Sequence, residues 1–529
     1  VTRPSRQRIV AAAVVAMALV LAACGGSSSS STSSGGSAPS DDTTLNVAFV
    51  ADMQVPDPDI FYEIEGNLVV TSVYEGLVRY KPDSAEIEPA LADSWTISPD
   101  GLTYTFTLKP DVKFASGAPA DAQAWVESFQ RRVDVNAAPA YMLADVASTA
   151  APDPTTFVVT LKNPVNPFMD YMAAPYGPKA VDPTVLAAEG GDDFAQSYLA
   201  TNSAGTGPYQ ISRFDVGTGY ELTLNPNYWG PKPYFETVDI SIIPDIATQR
   251  LKLESGELDM MTHGLPVADV ESFRTNPDFQ VMTFPVLIKT MLSANPSQGP
   301  FANEAVRKGL QQAFDKEALT EQIYKTQAKA STQVYPATVL PPNLALDVST
   351  YDPQALATAV AALPADQRSV DMAYSEDEGG TIARLAETVA TTLESAGLDV
   401  TVRAMPIAQV LELPAAESGR PDLLLFSFNP DAAHPDTWAR IFYFTGGGLN
   451  FLGCSVPAAD ALMDQGLVQL EKAPMQQYYG QAGDQIAASG CYTTIADNLD
   501  VVVARQGITG FVHQIPTPYT VRLKDLTAG

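Results

Sequence analysis

Polar and apolar residues alternate strictly over Thr103–Leu108. Tyr104, Phe106 and Leu108 fall on one side, and Thr103, Thr105 and Thr107 on the other. A period of two predicts a half-buried strand, and Pro99-Asp100-Gly101 before it is turn chemistry. Thr44–Val50, Thr156–Leu161, the two runs flanking Asp215–Gly219 and Val238–Pro244 read as further strands. A helical period appears after Asp121, where Trp125 and Phe129 stand at i and i+4. Asn67 is expected to cap a short helix over 67–78, and Gly256 to stop one over 246–255. Asn303 is expected to open a single long helix through Tyr324.

Beyond residue 368 the periods switch in a fixed order. Ser369–Ser375 is a strand. Thr381–Gly397 is a helix with Ile382, Leu385, Val389 and Leu393 on one face. Leu398–Ala404 is a strand with Leu398, Val400 and Val402 on one side. Asp422–Phe428 is nearly all apolar, as expected of a strand covered on both faces. Two helices follow before strand and turn return at Leu499–Phe511. This strand–helix–strand order predicts an α/β sheet. No repeat of 20–50 residues is visible.

The N-terminus has a pattern of its own. Arg3, Arg6 and Arg8 precede an apolar run from Ile9 to Ala22. That run is shorter than the ~20 residues of a spanning helix and suits a signal peptide, expected over 1–23. Leu21-Ala22-Ala23-Cys24 resembles a bacterial lipobox, so Cys24 is the expected lipid-attachment residue. Residues 24–40 are Ser- and Gly-rich and read as a flexible linker. The body that follows, about 490 residues, is too long for one core. The chain carries 31 Lys and Arg against 61 Asp and Glu, a net charge of −30. Cleavage before Cys24 removes three arginines and no acid, which gives −33. That balance argues against nucleic acid as a partner. Cys454 and Cys491 remain as an even pair in an oxidising compartment, and a disulfide between them is expected.

Motifs for catalysis are missing. The three histidines, His263, His434 and His513, lack metal-ligand spacing, so no metal site is expected. There is no nucleophile elbow and no phosphate loop. Gly205-Thr206-Gly207 precedes a strand and reads as a turn. Ser375–Gly380 is acidic but lacks the calcium-loop pattern and reads as a solvated turn. No cofactor and no enzymatic activity are expected.

Four blocks then carry a resemblance. They are Val73–Arg131, Gly205–Gly230, Ala247–Met261 and Val306–Leu319. Together with "PDLLLFSFNPDAAHPDTW" from Pro421 they resemble the bacterial extracellular solute-binding proteins of the oligopeptide/dipeptide/nickel class. That resemblance implies an α/β, two-lobed periplasmic-binding-protein-like fold (type II, cluster C) with an extra subdomain inserted in the first lobe. It implies that 41–84, 206–290 and 505–529 form lobe I, 85–205 the inserted subdomain, and 291–504 lobe II. The crossings near 290 and 504 would be the hinge. It further implies capture of an extended peptide between the lobes and its delivery to the permease subunits of an ABC importer. The expected form is a monomer held by lipid at the outer face of the cytoplasmic membrane.

In that family an acidic residue pairs with the peptide's α-ammonium, in the pattern aromatic, two residues, Asp. Phe428-Asn429-Pro430-Asp431 matches it, with Asp436 as rival. Trp438 would line a side-chain pocket or fill the core. Asn450 occupies the place of a cleft asparagine, and the loop Pro56–Phe61 that of the first cleft-lining loop. Arg403 and Arg440 are candidate carboxylate partners without a motif. The same family also admits a nickel chelate, haem or an oligosaccharide, and His434 is the candidate contact for the chelate or haem. An enzyme or sensor on the same scaffold is the third reading.

Overall fold

The computed structural model describes residues 43–341, 344, 350–376 and 379–529. Cys24, the signal peptide and the linker lie outside them, as do Asp377 and Glu378 of the acidic turn. Among the described residues no helix is long and apolar enough to cross a membrane.

The first lobe is built on a four-stranded sheet. Thr44–Phe49 pairs in parallel with Thr237–Ile242, which continues through Gly219–Leu224 to Tyr209–Asp215. Leu45, Val47, Leu222, Val238 and Ile240 point to one buried face, as their alternation requires. The helix Asn67–Val73 packs on that face. Gly66 takes the cap position expected of Asn67. Asn67 is instead buried inside the first turn, and its amide reaches the Tyr176 hydroxyl. Gly205 and Gly207 lie against this helix. A Cβ on either would collide with the carbonyls of Val73 and Ser72. That close approach is why the segment is glycine-rich.

The inserted subdomain is an antiparallel sheet of 92–97, 103–108, 156–161 and 146–153, with the helix Ala122–Val135 across it. Asp121 caps that helix through the Ala124 N–H. Trp125, Phe129 and Phe157 form the centre of the core. The strand Val146–Asp153 carries little apolar periodicity and was not foreseen.

A seven-stranded mixed sheet fills the second lobe and reaches the first through Met260–Met261. Ser369–Ser375 lies between Asp399–Met405 and Leu423–Phe428, all parallel. Leu424 and Phe426 enter one core and Leu423 and Leu425 the other, so the apolar run is buried on both faces. Asp399–Met405 is the edge strand, which leaves Val402 exposed. The expected long helix over 303–324 is two helices, Glu304–Gln312 and Lys316–Ile323. Asp315 accepts from the Ala318 N–H and starts the second as its cap. The bond Cys454–Cys491 (Cα–Cα 6.3 Å) ties the loop before Pro457–Leu467 to the residue entering Tyr492–Arg505.

Two long antiparallel strands join the lobes, Phe279–Ala294 and Tyr492–Arg505. Val502 and Ala504 belong to the core of the first lobe, and Leu292, Ala294, Ile495 and Ala496 to that of the second. The ladder breaks register between Pro285 and Lys289, opposite Asp497–Leu499. Pro285 cannot donate to a ladder. The chain therefore passes between lobes at 285–289 and again at 497–499. The return strand begins seven residues before the apolar run that signals it, because Tyr492–Asn498 is half polar.

Candidate functional site

The loop Pro56–Phe61 is fixed by buried charge. Asp57 and Asp59 are almost fully buried. Arg131 spans both, with Nη1 2.8 Å from Asp57 Oδ1 and 2.6 Å from Asp59 Oδ2. Arg132 Nε donates to Asp59 Oδ1 at 2.7 Å, and its other nitrogens donate to the carbonyls of Tyr176, Pro58 and Gly177. Buried ions persist only with such full sets of partners. Burial still pushes the Asp57 carboxyl up, against the pull of Arg131. The two arginines come from the helix Ala122–Val135, so the loop and the inserted subdomain move as one piece.

This loop delivers Tyr62. Its hydroxyl donates to Asp431 Oδ2 at 2.5 Å, and the Tyr141 hydroxyl donates to the same oxygen at 2.5 Å. Tyr62 packs edge-on to Tyr176 and Tyr141 edge-on to Tyr171, at centroid distances of 5.0 and 5.7 Å. Asp431 is 8% exposed. Burial raises its pKa, and the two hydroxyl donors partly offset that rise. Burial, followed by the Asp431 charge, holds both tyrosines protonated as donors. The first lobe, the inserted subdomain and the second lobe thus each contribute one group. Asp431 stands three residues beyond the strand Leu423–Phe428, whose last residue pairs with Lys289 where the chain passes between lobes. A buried carboxylate already ringed by donors suits an ammonium, which brings its own charged N–H groups.

The other sequence candidates occupy different settings. Asp436 is 1% exposed and accepts from the Tyr479 hydroxyl at 2.6 Å and from Arg440 at 3.1 Å. Trp438 is fully buried, 4.4 Å from Phe442. Phe428 is half-buried against Phe426, Phe442 and Phe451. Asn450 spends its amide on the carbonyls of Phe444 and Cys454, and its oxygen accepts from the Cys454 N–H. Trp438 and Phe428 pack in the apolar core of the second lobe, and Asp436 and Asn450 hydrogen-bond to its Tyr479 and Cys454. Arg403, on the edge strand, pairs with Asp371 of the neighbouring strand Ser369–Ser375, and Arg440 with Asp436 and Asp464.

His434 has both ring nitrogens engaged. Nδ1 accepts from the Asp436 N–H at 3.1 Å, and Nε2 lies 2.8 Å from Asn166 Oδ1. Burial lowers its pKa to about 3. The ring is neutral and carries no open nitrogen for a metal. Among the described residues there is no cluster of three or more metal-ligating side chains.

Asn166 was not signalled by the sequence. Its N–H donates to Leu467 O at 2.9 Å, its amide donates to Gln469 O, and its oxygen faces His434. One residue of the inserted subdomain therefore grips the second lobe three times. Near the hinge strands a recess of about 140 Å³ opens between the lobes. His263 and Tyr519 from the first lobe stack at 4.5 Å on one wall, with Tyr324 and Thr381 of the second lobe on the other.

Comparison with known proteins agrees with this architecture. The profile of the bacterial extracellular solute-binding proteins, family 5 (middle), matches residues 86–450. A probable D,D-dipeptide-binding periplasmic protein of Escherichia coli is 33% identical over 289 residues, 54% of this chain and 55% of that protein. The nickel-binding periplasmic protein of Escherichia coli is 33% identical over 288 residues, 53% of this chain and 54% of that protein. The chain thus spans about half the length of these relatives. The periplasmic binding protein DppA of Helicobacter pylori, solved with the peptide STSA, shares the fold. Its TM-score is 0.76 at 22% identity, covering 92% of this chain and 98% of that one.

Proposed function

The chain belongs to the bacterial extracellular solute-binding proteins of family 5, and from that premise we propose that it captures extended peptides between its two lobes. The reading rests on Asp431. It is a buried carboxylate that faces hydroxyl donors from both other bodies across the cleft. An α-ammonium entering there replaces the tyrosine hydroxyls as donor and adds a full charge. Main-chain hydrogen bonds along the lobes then supply sequence-independent affinity, as in strand addition. Closure about the two strands at 285–289 and 497–499 buries the ligand.

The captured peptide passes to the permease subunits of an ABC importer. Cys24 carries the lipid and residues 24–40 the reach, so that the receptor works as a monomer at the outer face of the cytoplasmic membrane. A charge-assisted hydrogen bond contributes about 1.5–3 kcal/mol. Asp431→Asn therefore weakens a free-amine peptide by about ten- to a hundredfold in calorimetric titration. An N-acetylated peptide is hardly affected. Equal losses for both ligands would remove Asp431 from the ammonium site.

The second reading keeps the family and changes the solute to a nickel chelate, haem or an oligosaccharide. Its support is the nickel-binding relative, as similar to this chain as the dipeptide-binding one. The occupied nitrogens of His434 weigh against a direct metal contact there.

A further inference from the structure

A second cavity, about 80 Å³, lies inside the first lobe. It sits between the end of the helix Asn67–Val73, the turn at 173–175 and the C-terminal segment 514–524. None of its lining residues falls within 291–504, so it is separate from the interlobe cleft. Its wall carries Arg79, Lys179, Arg522 and Lys524 against a single carboxylate, Glu75. In a chain of net charge −30 that is a local reversal of sign.

The cations of this wall have more donors than partners. Lys179 is 6% exposed, and its Nζ donates to Ala174 O at 3.0 Å. An ammonium has three protons to place. Arg522 donates through Nε to Asp525 at 2.7 Å, while its buried Nη1 has no hydrogen-bond partner among the described residues. Arg79 is paired with Glu88, and Lys524 donates to the Tyr228 hydroxyl. Glu75 Oε2 accepts from Trp229 Nε1 and Thr206 Oγ1, and its charge is shared between Lys179 and Lys524, to neither of which it makes a hydrogen bond among the described residues. The space exceeds the roughly 10–15 Å³ that one water needs. Water could solvate these donors but would bring no counter-charge.

We propose that this cavity is a second ligand site, which takes one small oxyanion of the phosphate, sulfate or carboxylate class between Lys179 and Arg522. Both line the cavity, and a guanidinium and an ammonium are the usual partners of such groups. Burial, and after it the charge of Arg132, pulls the Lys179 ammonium down to about 7. A bound anion reverses that penalty and keeps the lysine charged.

Equilibrium dialysis with radiolabelled inorganic phosphate, at constant ionic strength in chloride, tests the site. The protein is expected to take up one phosphate per chain. Lys179→Met and Arg522→Gln weaken it by about tenfold or more, the worth of one charge-assisted bond. Asp431→Asn leaves it unchanged. Competition by sulfate and by acetate then identifies the preferred oxyanion. Arg522 is partly exposed, so its variant decides the matter if Lys179→Met fails to fold. Absence of saturable uptake overturns the site, as does wild-type uptake by the folded variants. Loss of uptake in Asp431→Asn moves the phosphate to the interlobe cleft and also overturns it. The peptide reading is decided separately by the amine titration.

Discussion

In the proposed peptide site, two demands on Asp431 pull in opposite directions. Burial favours its neutral form, and an incoming ammonium needs its charged form. Its raised pKa sets the sign of the pH effect. Acidification protonates the free protein before it reaches the ordinary aspartate range, and affinity for a free-amine peptide falls with it. Titrations from neutral pH downward should show this loss, and Asp431→Asn should flatten it. A wild-type affinity that stays constant down to pH 4 would contradict the role. The Asp57–Asp59–Arg131–Arg132 cluster is the opposite case, with every ion paired. Arg132→Met leaves Asp59 buried with a lost partner and should cost about 3–5 kcal/mol in urea unfolding. A loss below about 1 kcal/mol would mean that the loop relaxes into solvent. The motif Phe428-x-x-Asp431 was legible in the sequence because its parts are adjacent. Tyr62 and Tyr141 were not, since 369 and 290 residues separate them from Asp431 and only the fold joins them.

At the level of elements, alternation identified Thr103–Leu108, which has one apolar face, and a continuous apolar run identified Leu423–Phe428, which is buried on both. It failed where both faces are partly polar, as in Val146–Asp153 and the first half of Tyr492–Arg505. Helix breaks were hidden for a related reason. Asp315 lies inside a run of good helix formers, and only its side-chain bond to the Ala318 N–H reveals a new start. The contact around Asn166 joins two elements that no periodicity connects. Asn166→Ala removes two side-chain hydrogen bonds between the inserted subdomain and the second lobe. The account predicts a shift toward the open form, read as a larger radius of gyration in small-angle scattering without ligand. An unchanged radius would show that the cleft is held shut elsewhere.

For the whole molecule, two cores joined by a pair of strands make closure the natural motion. A ligand shifts that equilibrium only by binding the closed form more tightly. In the proposed mode a peptide meets this condition through main-chain bonds to both lobes, because its ammonium displaces the Tyr62 and Tyr141 hydroxyls that already join Asp431 to the other side of the cleft. The acidic surface adds a long-range term that favours cationic ends over anionic ones. The α/β class was legible at this scale from the order of strands and helices and the two-lobed form only from the family resemblance, whereas the proposed solute is set by a few side chains facing the gap. The most direct test is native mass spectrometry of the protein as purified from cells, followed by denaturing release of whatever is bound. The account predicts a family of adducts at peptide masses, which collapses in Asp431→Asn. A single sharp adduct with the mass of haem, a sugar or a nickel chelate would contradict it.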